Sequence, residues 1–327
     1  MEGNISSHCI NGSRLPEKNQ CTPLVTVRMA TPQGTFLLLS QTRTLYRLIR
    51  TMLNISIVLY IPQWTRVHSL VQTLLKAETV KNIYLIDNSP TEAEDSEQKS
   101  LSGSRKTHYL WNEGKNIGFG RAHNIALRES IWQRTKYHVV IDENIDVKAE
   151  DIDRLHYFME HNPQVGQLMP KMLSPKGEIL PLLRLLPTPI EVCKNYFFPV
   201  FIEKKRVSDT DLFTAENEQI MNVPVLSHCF MFLRTEAALK ARLFDERYVS
   251  PIAHIDLTRT IHRDYLTLYV PDITAVYEEN EMKYKGLFGC QRAADWCRYF
   301  HKWGWILDSE RKEINQLTLQ LCKTEQL

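Results

Sequence analysis

Three short stretches of this 327-residue chain hold the side chains best suited to chemistry. Asp87 directly follows an apolar run, and a carboxylate there can accept hydrogen bonds from a base or a sugar. Asp87-Asn88-Ser89-Pro90 is equally a run of turn formers. Gly114-Lys115-Asn116-Ile117-Gly118-Phe119-Gly120 precedes a helical pattern. It is neither G-x-G-x-x-G nor a Walker loop. A glycine-rich turn feeding a helix still offers backbone N–H groups and a positive dipole end to a phosphate. A tight turn with no ligand is the other reading. Asp142, Glu143 and Asp146 cluster after another apolar run. Oxygen ligands there suit Mg²⁺ or Mn²⁺ held together with a diphosphate, and a solvated acidic turn is the alternative. The three stretches together describe a base pocket, a phosphate loop and a metal turn.

The elements that must position them follow a regular rhythm from Asn54 onward. Ile55 to Ile61, Asn82 to Ile86, Thr107 to Trp111 and Tyr137 to Ile141 read as strands. Helical spacing covers Arg66 to Lys76, Arg121 to Thr135 and Asp151 to Asn162. Thr91 to Ser104 reads as a polar, acidic loop. Strands alternating with helices predict an α/β fold with a mostly parallel, doubly wound sheet. Such sheets bind ligands outside the carboxyl ends of their strands, and each of the three stretches lies at such an end. The second half is less regular, with a Pro-rich stretch at Leu180 to Pro189, a strand at Cys229 to Leu233 and an aromatic C-terminal helix.

Forty Lys and Arg against thirty-eight Asp and Glu leave a formal charge of +2, with 43% hydrophobic and 24% charged residues. That balance excludes a disordered chain and argues against a nucleic-acid binder, which shows a strong basic excess. Seven cysteines without a C-x-x-C pair make neither a zinc ribbon nor a disulfide framework, and they read as free thiols in a reducing compartment. No apolar run reaches the roughly 18 residues of a spanning helix. Residues 1–53 carry six basic and two acidic side chains, net +4, so the remainder holds 2 − 4 = −2. They read as a partly disordered extension ending in an amphipathic helix with Arg43, Arg47 and Arg50 on one face. That helix suits either a membrane surface or packing on the domain.

Several longer stretches resemble the family 2 glycosyltransferases of the GT-A fold, nearest the rhamnosyltransferase-like branch of bacterial surface polysaccharide synthesis. They are SIVLY at Ser56 to Tyr60, YLIDNSP at Tyr84 to Pro90, NIGFGRAHNIAL at Asn116 to Leu127, and HNPQVGQLMPKMLSPKGEI at His161 to Ile179. LSHCFMFLR at Leu226 to Arg234, FDERY at Phe244 to Tyr248, IDLTRTI at Ile255 to Ile261 and YFHKWGWILDSERKEIN at Tyr299 to Asn315 continue the likeness. The resemblance implies a GT-A (Rossmann-like), mostly parallel doubly wound sheet with a helical C-terminal addition. It divides the chain into an extension over 1–53 and a GT-A domain over 54–327, with a donor half at 54–165 and an acceptor half at 166–327. It implies a nucleotide-sugar donor and a divalent cation, Mn²⁺ or Mg²⁺. The acceptor it implies is a lipid-linked (polyprenyl-diphosphate) glycan, at the inner face of the bacterial cytoplasmic membrane. Tyr60, Asp87, Asn116, Gly118 and Asn124 would bind the nucleotide sugar, with Asp87 facing the nucleobase.

The departures from the family fall on the chemistry. The family's Asn-Pro-Asp is Asp142-Glu143-Asn144 here, so the expected metal Asp is Asn144; Asp142, with Asn144, would hold the metal, and Glu143 or Asp146 could assist. The family's general-base Asp is His254, in Ala253-His254-Ile255-Asp256, with Asp256 orienting the base or the acceptor. A downstream family His is Tyr277, and the Gly of LSGCFM is His228. Two readings stay open. In one the site is rewired and active, because an imidazole is a competent base near neutral pH. In the other the chain is a pseudo-glycosyltransferase that binds a nucleotide sugar or glycan without reaction. A Rossmann oxidoreductase is disfavoured by the missing dinucleotide fingerprint. The aromatic and basic run Asp295 to Trp305 suits a membrane interface or a helix packed on the sheet.

Overall fold

The computed structural model describes residues 52–101, 103–197, 219–278 and 289–324. The N-terminal extension, up to residue 51, and most of its arginine helix lie outside them. In chain order the elements are β1 (Leu53–Leu59), α1 (Trp64–Leu74), β2 (Val80–Asp87), α2 (Asp95–Leu101), β3 (Thr107–Trp111), α3 (Phe119–Trp132), β4 (Tyr137–Ile141) and β5 (Ile145–Asp146). Next come α4 (Ala149–His161), β6 (Val165–Leu173), α5 (Pro189–Phe197), β7 (Met221–Asn222), β8 (Phe230–Arg234) and α6 (Thr235–Lys240). Last are α7 (Ala253–His262), β9 (Leu266–Tyr277), α8 (Gly289–Trp303) and α9 (Ser309–Thr324).

All nine strands form one sheet, in the order β3-β2-β1-β4-β8-β6-β9-β5, with β7 on β9. β1, β2, β3 and β4 pair in parallel, as do β6 and β9. β8 runs antiparallel between β4 and β6. Most paired residues are thus in parallel register, as the strand–helix alternation predicts. The antiparallel β8 is what brings the loop before it beside the carboxyl end of β4.

β1 shows how the sheet divides its two faces. Leu53, Ile55, Ile57 and Leu59 point into the main apolar core with α1 and α4. Asn54 and Ser56 point the other way, beneath α3, and are fully buried. Buried polar groups need partners, and these have them. Ser56 Oγ lies 2.7 Å from His123 Nδ1 and 2.8 Å from His138 Nε2, and His138 Nδ1 lies 2.8 Å from Ser130 Oγ. Asn54 Nδ2 donates to Ser130 Oγ at 3.0 Å.

Two boundaries differ from the sequence reading. β1 starts at Leu53, one residue inside the expected extension, and stops before Ile61, whose φ of 48° marks a turn. Part of the expected loop at Thr91 to Ser104 is the helix α2. It is too short to show periodicity, and only Leu101 and the preceding Ala93 are buried by it. Among the described residues no helix is long and apolar enough to cross a membrane.

Candidate active site

Parallel register puts Leu59, Asp87 and Trp111 level at one edge of the sheet, so the loops after β1, β2 and β3 emerge together. An amide ladder ties them. Asn112 Nδ2 donates to Asn88 Oδ1 at 2.7 Å, and Asn88 Nδ2 donates to Asn116 Oδ1 at 3.3 Å. Asn116 Oδ1 also accepts the Gly118 N–H at 3.0 Å. Asn116 is therefore the residue that shapes the glycine loop. Tyr60 follows β1 directly and is half-buried.

Gly118 opens α3 at φ 90°, and a Cβ on it would come within 2.9 Å of Val249 Cα and Val249 O. Gly118→Ala is expected to destabilise the fold by about 2 kcal/mol, since both the left-handed backbone and the close approach oppose a side chain. A urea titration checks it, and an unchanged midpoint would contradict the role. The first helical N–H does not face solvent: Phe119 N donates to Val249 O at 2.9 Å. The phosphate loop expected here is thus packed under residues 249–250. Those residues are in turn clamped by Asp295, whose Oδ2 accepts the N–H groups of Val249 at 3.0 Å and Ser250 at 2.7 Å. Asp295 is fully buried, with Arg298 on its other oxygen at 2.6 Å. Nothing in its aromatic, basic sequence surroundings marks it.

Three expected site residues are engaged by the fold. Asp87 is 1% exposed; its Oδ1 accepts Ser89 N at 2.8 Å and its Oδ2 accepts the Tyr109 hydroxyl at 2.7 Å. It shapes the loop after β2. Asn124 is buried in α3, donates to Phe244 O at 2.8 Å and Glu246 Oε1 at 3.0 Å, and accepts Phe244 N at 3.0 Å. Asp256 does not touch His254. Positions two apart on a helix face different sides, and Asp256 turns inward to accept Lys302 Nζ and Trp303 Nε1, each at 2.7 Å.

The acidic turn is also differently built. Asn144 donates to Asp142 Oδ1 from its backbone N–H at 2.9 Å and from Nδ2 at 3.0 Å. Asn144 thus fixes Asp142 within the turn. Arg66 closes the turn, donating to Asn144 O at 3.4 Å and pairing with Glu278. Among the described residues no three His, Cys, Asp or Glu side chains converge as metal ligands. The turn offers the carboxylates of Asp142, Glu143 and Asp146, and a divalent cation held there would take its remaining ligands from a donor diphosphate.

What the fold does bring together is a pair of histidines. Asp142 N donates to Cys229 O at 2.8 Å, which places His228 at the end of β4. The rings of His228 and His254 lie 5.2 Å apart, and Phe119 at the start of α3 stands edge-on to His228 at 5.8 Å. His254 Nδ1 lies 2.5 Å from Pro251 O, so this nitrogen carries the proton and Nε2 keeps its lone pair. Burial holds both rings below the ordinary imidazole range, His228 at about 4 and His254 well below 6.5. The neighbouring cations Arg184 and Arg292 push both in the same direction. Both rings are therefore neutral at pH 7, in a corner bordered by two arginines.

No protein-family model matches the sequence, and no curated protein matches it. Solved structures do. A mannosyltransferase, PcManGT from Pyrobaculum calidifontis in complex with GDP-Man and Mn²⁺, is 14% identical. The likeness covers 78% of this chain and 65% of that one, with a TM-score of 0.51. S. aureus TarS is 14% identical over 82% of this chain and 43% of its own length, with a TM-score of 0.52. The chain thus spans less than two thirds of either protein. At such identities the likeness speaks for architecture, and with the sheet order above it establishes that this chain has the GT-A fold.

Proposed function

We propose that the chain is an inverting glycosyltransferase. It moves a sugar, rhamnose by its resemblance, from a nucleotide-sugar donor to a hydroxyl of a lipid-linked or oligosaccharide acceptor in surface polysaccharide synthesis. The observation that carries this reading is His254: a neutral imidazole with its proton fixed on Pro251 O, beside the loops that a GT-A fold presents to its donor. Residues 54–165 would take the donor and residues 166–327 the acceptor, with residues 1–53 as an extension and the protein peripheral at the cytoplasmic membrane face. His254 Nε2 would accept the acceptor's hydroxyl proton. The freed oxygen bonds to the anomeric carbon as the bond from that carbon to the diphosphate breaks, and the nucleoside diphosphate leaves. Arg184 and Arg292 would offset the leaving charge together with a divalent cation, Mn²⁺ or Mg²⁺, that Asp142 with Asn144 would hold.

A pseudo-enzyme is the second reading, favoured by Asn124 and Asp256, which the fold has taken for its own contacts. One experiment separates the two. The purified chain is given a panel of nucleotide sugars with a membrane extract as acceptor source, and nucleotide release is followed with Mn²⁺ and with chelator. Release is expected with Mn²⁺, and chelator is expected to lower it by about tenfold or more, about 1.4 kcal/mol. Tight donor binding without release under any condition supports the second reading. Release undiminished in chelator would overturn the role of the cation.

A further inference from the structure

The turn between α8 and α9 carries three consecutive large apolar residues into solvent. Trp305 is 45% exposed, Ile306 81% and Leu307 92%. Single exposed apolar side chains need no explanation, but three in sequence on a built turn do. The turn is rigid. Gly304 adopts φ 105°, its N–H caps α8 on Phe300 O at 2.8 Å, and a Cβ there would lie 2.9 Å from Leu307 O. On the far side Asp308 receives a bidentate bond from the fully buried Arg259, Nη1 at 2.9 Å and Nη2 at 2.7 Å. Arg259 also stacks on Trp303 at 4.0 Å and bonds Glu310 at 2.9 Å. Buried ion pairs do more for a unique geometry than for stability, and the geometry specified here holds Ile306 and Leu307 outward.

We propose that this turn is a membrane-docking tip that inserts into an anionic bilayer surface. The occupant is argued from shape and charge. The tip protrudes, so it offers no groove for a peptide. Lys302 on the last turn of α8 is held by Asp256 and Asp245, and the exposed Lys312 on the first turn of α9 is the cation beside the apolar residues that suits anionic headgroups. Trp305 rests partly on Phe300 at 5.3 Å, an amphipathic ring at the level where such rings sit in a bilayer interface. The tip is also fastened to the helix that presents His254. Asp256 holds Lys302 and Trp303, and Arg259 holds Asp308, so α7 carries both the imidazole and the anchor within its own length. Resting on the proposed transfer reaction, this fixes the site at a set height above the lipid surface from which a lipid-linked acceptor arrives.

Sedimentation of the full chain with vesicles tests the tip. The chain is expected to bind vesicles of equal parts phosphatidylcholine and phosphatidylglycerol. Ile306→Ser with Leu307→Ser, which alters no charge, should weaken binding at least tenfold while the circular dichroism spectrum is retained. In a separate Leu307→Trp variant, brominated lipid should quench the added fluorescence. Undiminished binding by the double variant, absence of quenching, or equal binding to pure phosphatidylcholine would overturn the proposal. So would a second copy as occupant, seen as a dimer that the double variant breaks. Nucleotide release with a soluble sugar acceptor is expected to be unchanged in the double variant. Loss of docking and loss of transfer are therefore read separately.

Discussion

Replacing His254 by alanine is expected to lower sugar transfer by about 10²- to 10⁴-fold while leaving donor affinity within about twofold, the range of a positioned general base. The imidazole sits at the N-terminal turn of α7 and donates Nδ1–H to Pro251 O, which fixes both its tautomer and its ring plane. Burial, His228 and two arginines keep it neutral, so it is competent as an acceptor at pH 7 without prior deprotonation. A strongly depressed pKa makes a weak base, yet in the proposed complex the donor diphosphate would lie near Arg184 and Arg292. Negative charge there favours the imidazolium and raises the pKa toward the working range. The effect must therefore fall on kcat for the ternary complex and not on donor binding. Single-turnover transfer with donor titration checks it. Equal losses in affinity and rate would make His254 a structural residue, and unchanged rate would remove it from the reaction. His254→Gln keeps a hydrogen-bonding side chain without a base and is expected to be as slow as alanine.

Acid is expected to unfold this protein at milder pH than carboxylate titration alone explains. His123 and His138 are fully buried under α3, and desolvation holds His138 at about 3 and His123 well below 6.5. In the unfolded chain both titrate near pH 6.5. Below that pH the unfolded state takes up protons that the folded state refuses, so stability is complete above pH 6.5 and falls as pH drops toward the folded values. Each ring contributes about 1.4 kcal/mol per pH unit in that window. His138 alone therefore removes roughly 3 kcal/mol by about pH 4.5, a large share of a typical 5–15 kcal/mol, and His123 acts in the same direction. His228, at about 4, adds to the same slope. Chemical denaturation at a series of pH values from 7.5 to 5 reads this before carboxylates titrate. A midpoint constant across that range would contradict it. The acid limb of kcat/KM, which reports the free enzyme, should follow the loss of structure, because His254 in the free enzyme is held neutral by burial there.

The strand–helix alternation from Asn54 to Asn162 was legible because each apolar run is buried on a sheet whose neighbours lie close in sequence. β1, β2, β3 and β4 all stand where the alternation put them, to within a few residues. The loops at Asp87, Gly114 to Gly120 and Asp142 were legible as strand-end loops for the same reason. Their individual roles were not. Asp87, Asn116 and Asn124 each have a side chain that could meet either a ligand or a backbone amide, and residue type alone does not choose between them. For Asn124 the choice was made by Phe244 and Glu246, some 120 positions away. For Asp256 it was made by Lys302 and Trp303 in the C-terminal helix. Asp295 and Arg259 left no sequence signal at all, because a charged residue is read as exposed until its partner is known.

By itself the sequence determined the α/β alternation, the edge of the sheet where ligands bind, the departures at Asn144 and His254, and the near-neutral charge. These follow from local periodicity, turn chemistry and side-chain identity, which act over a few residues. Only the tertiary structure decided that Asn144 ties down Asp142, that His228 and His254 share a corner with Phe119, and that Trp305 to Leu307 are held in solvent by Arg259 and Asp308. The last two depend on which distant segments meet in the interior, and the first on backbone geometry within a single turn. A hydrogen bond in the interior is specified by geometry that no local pattern records.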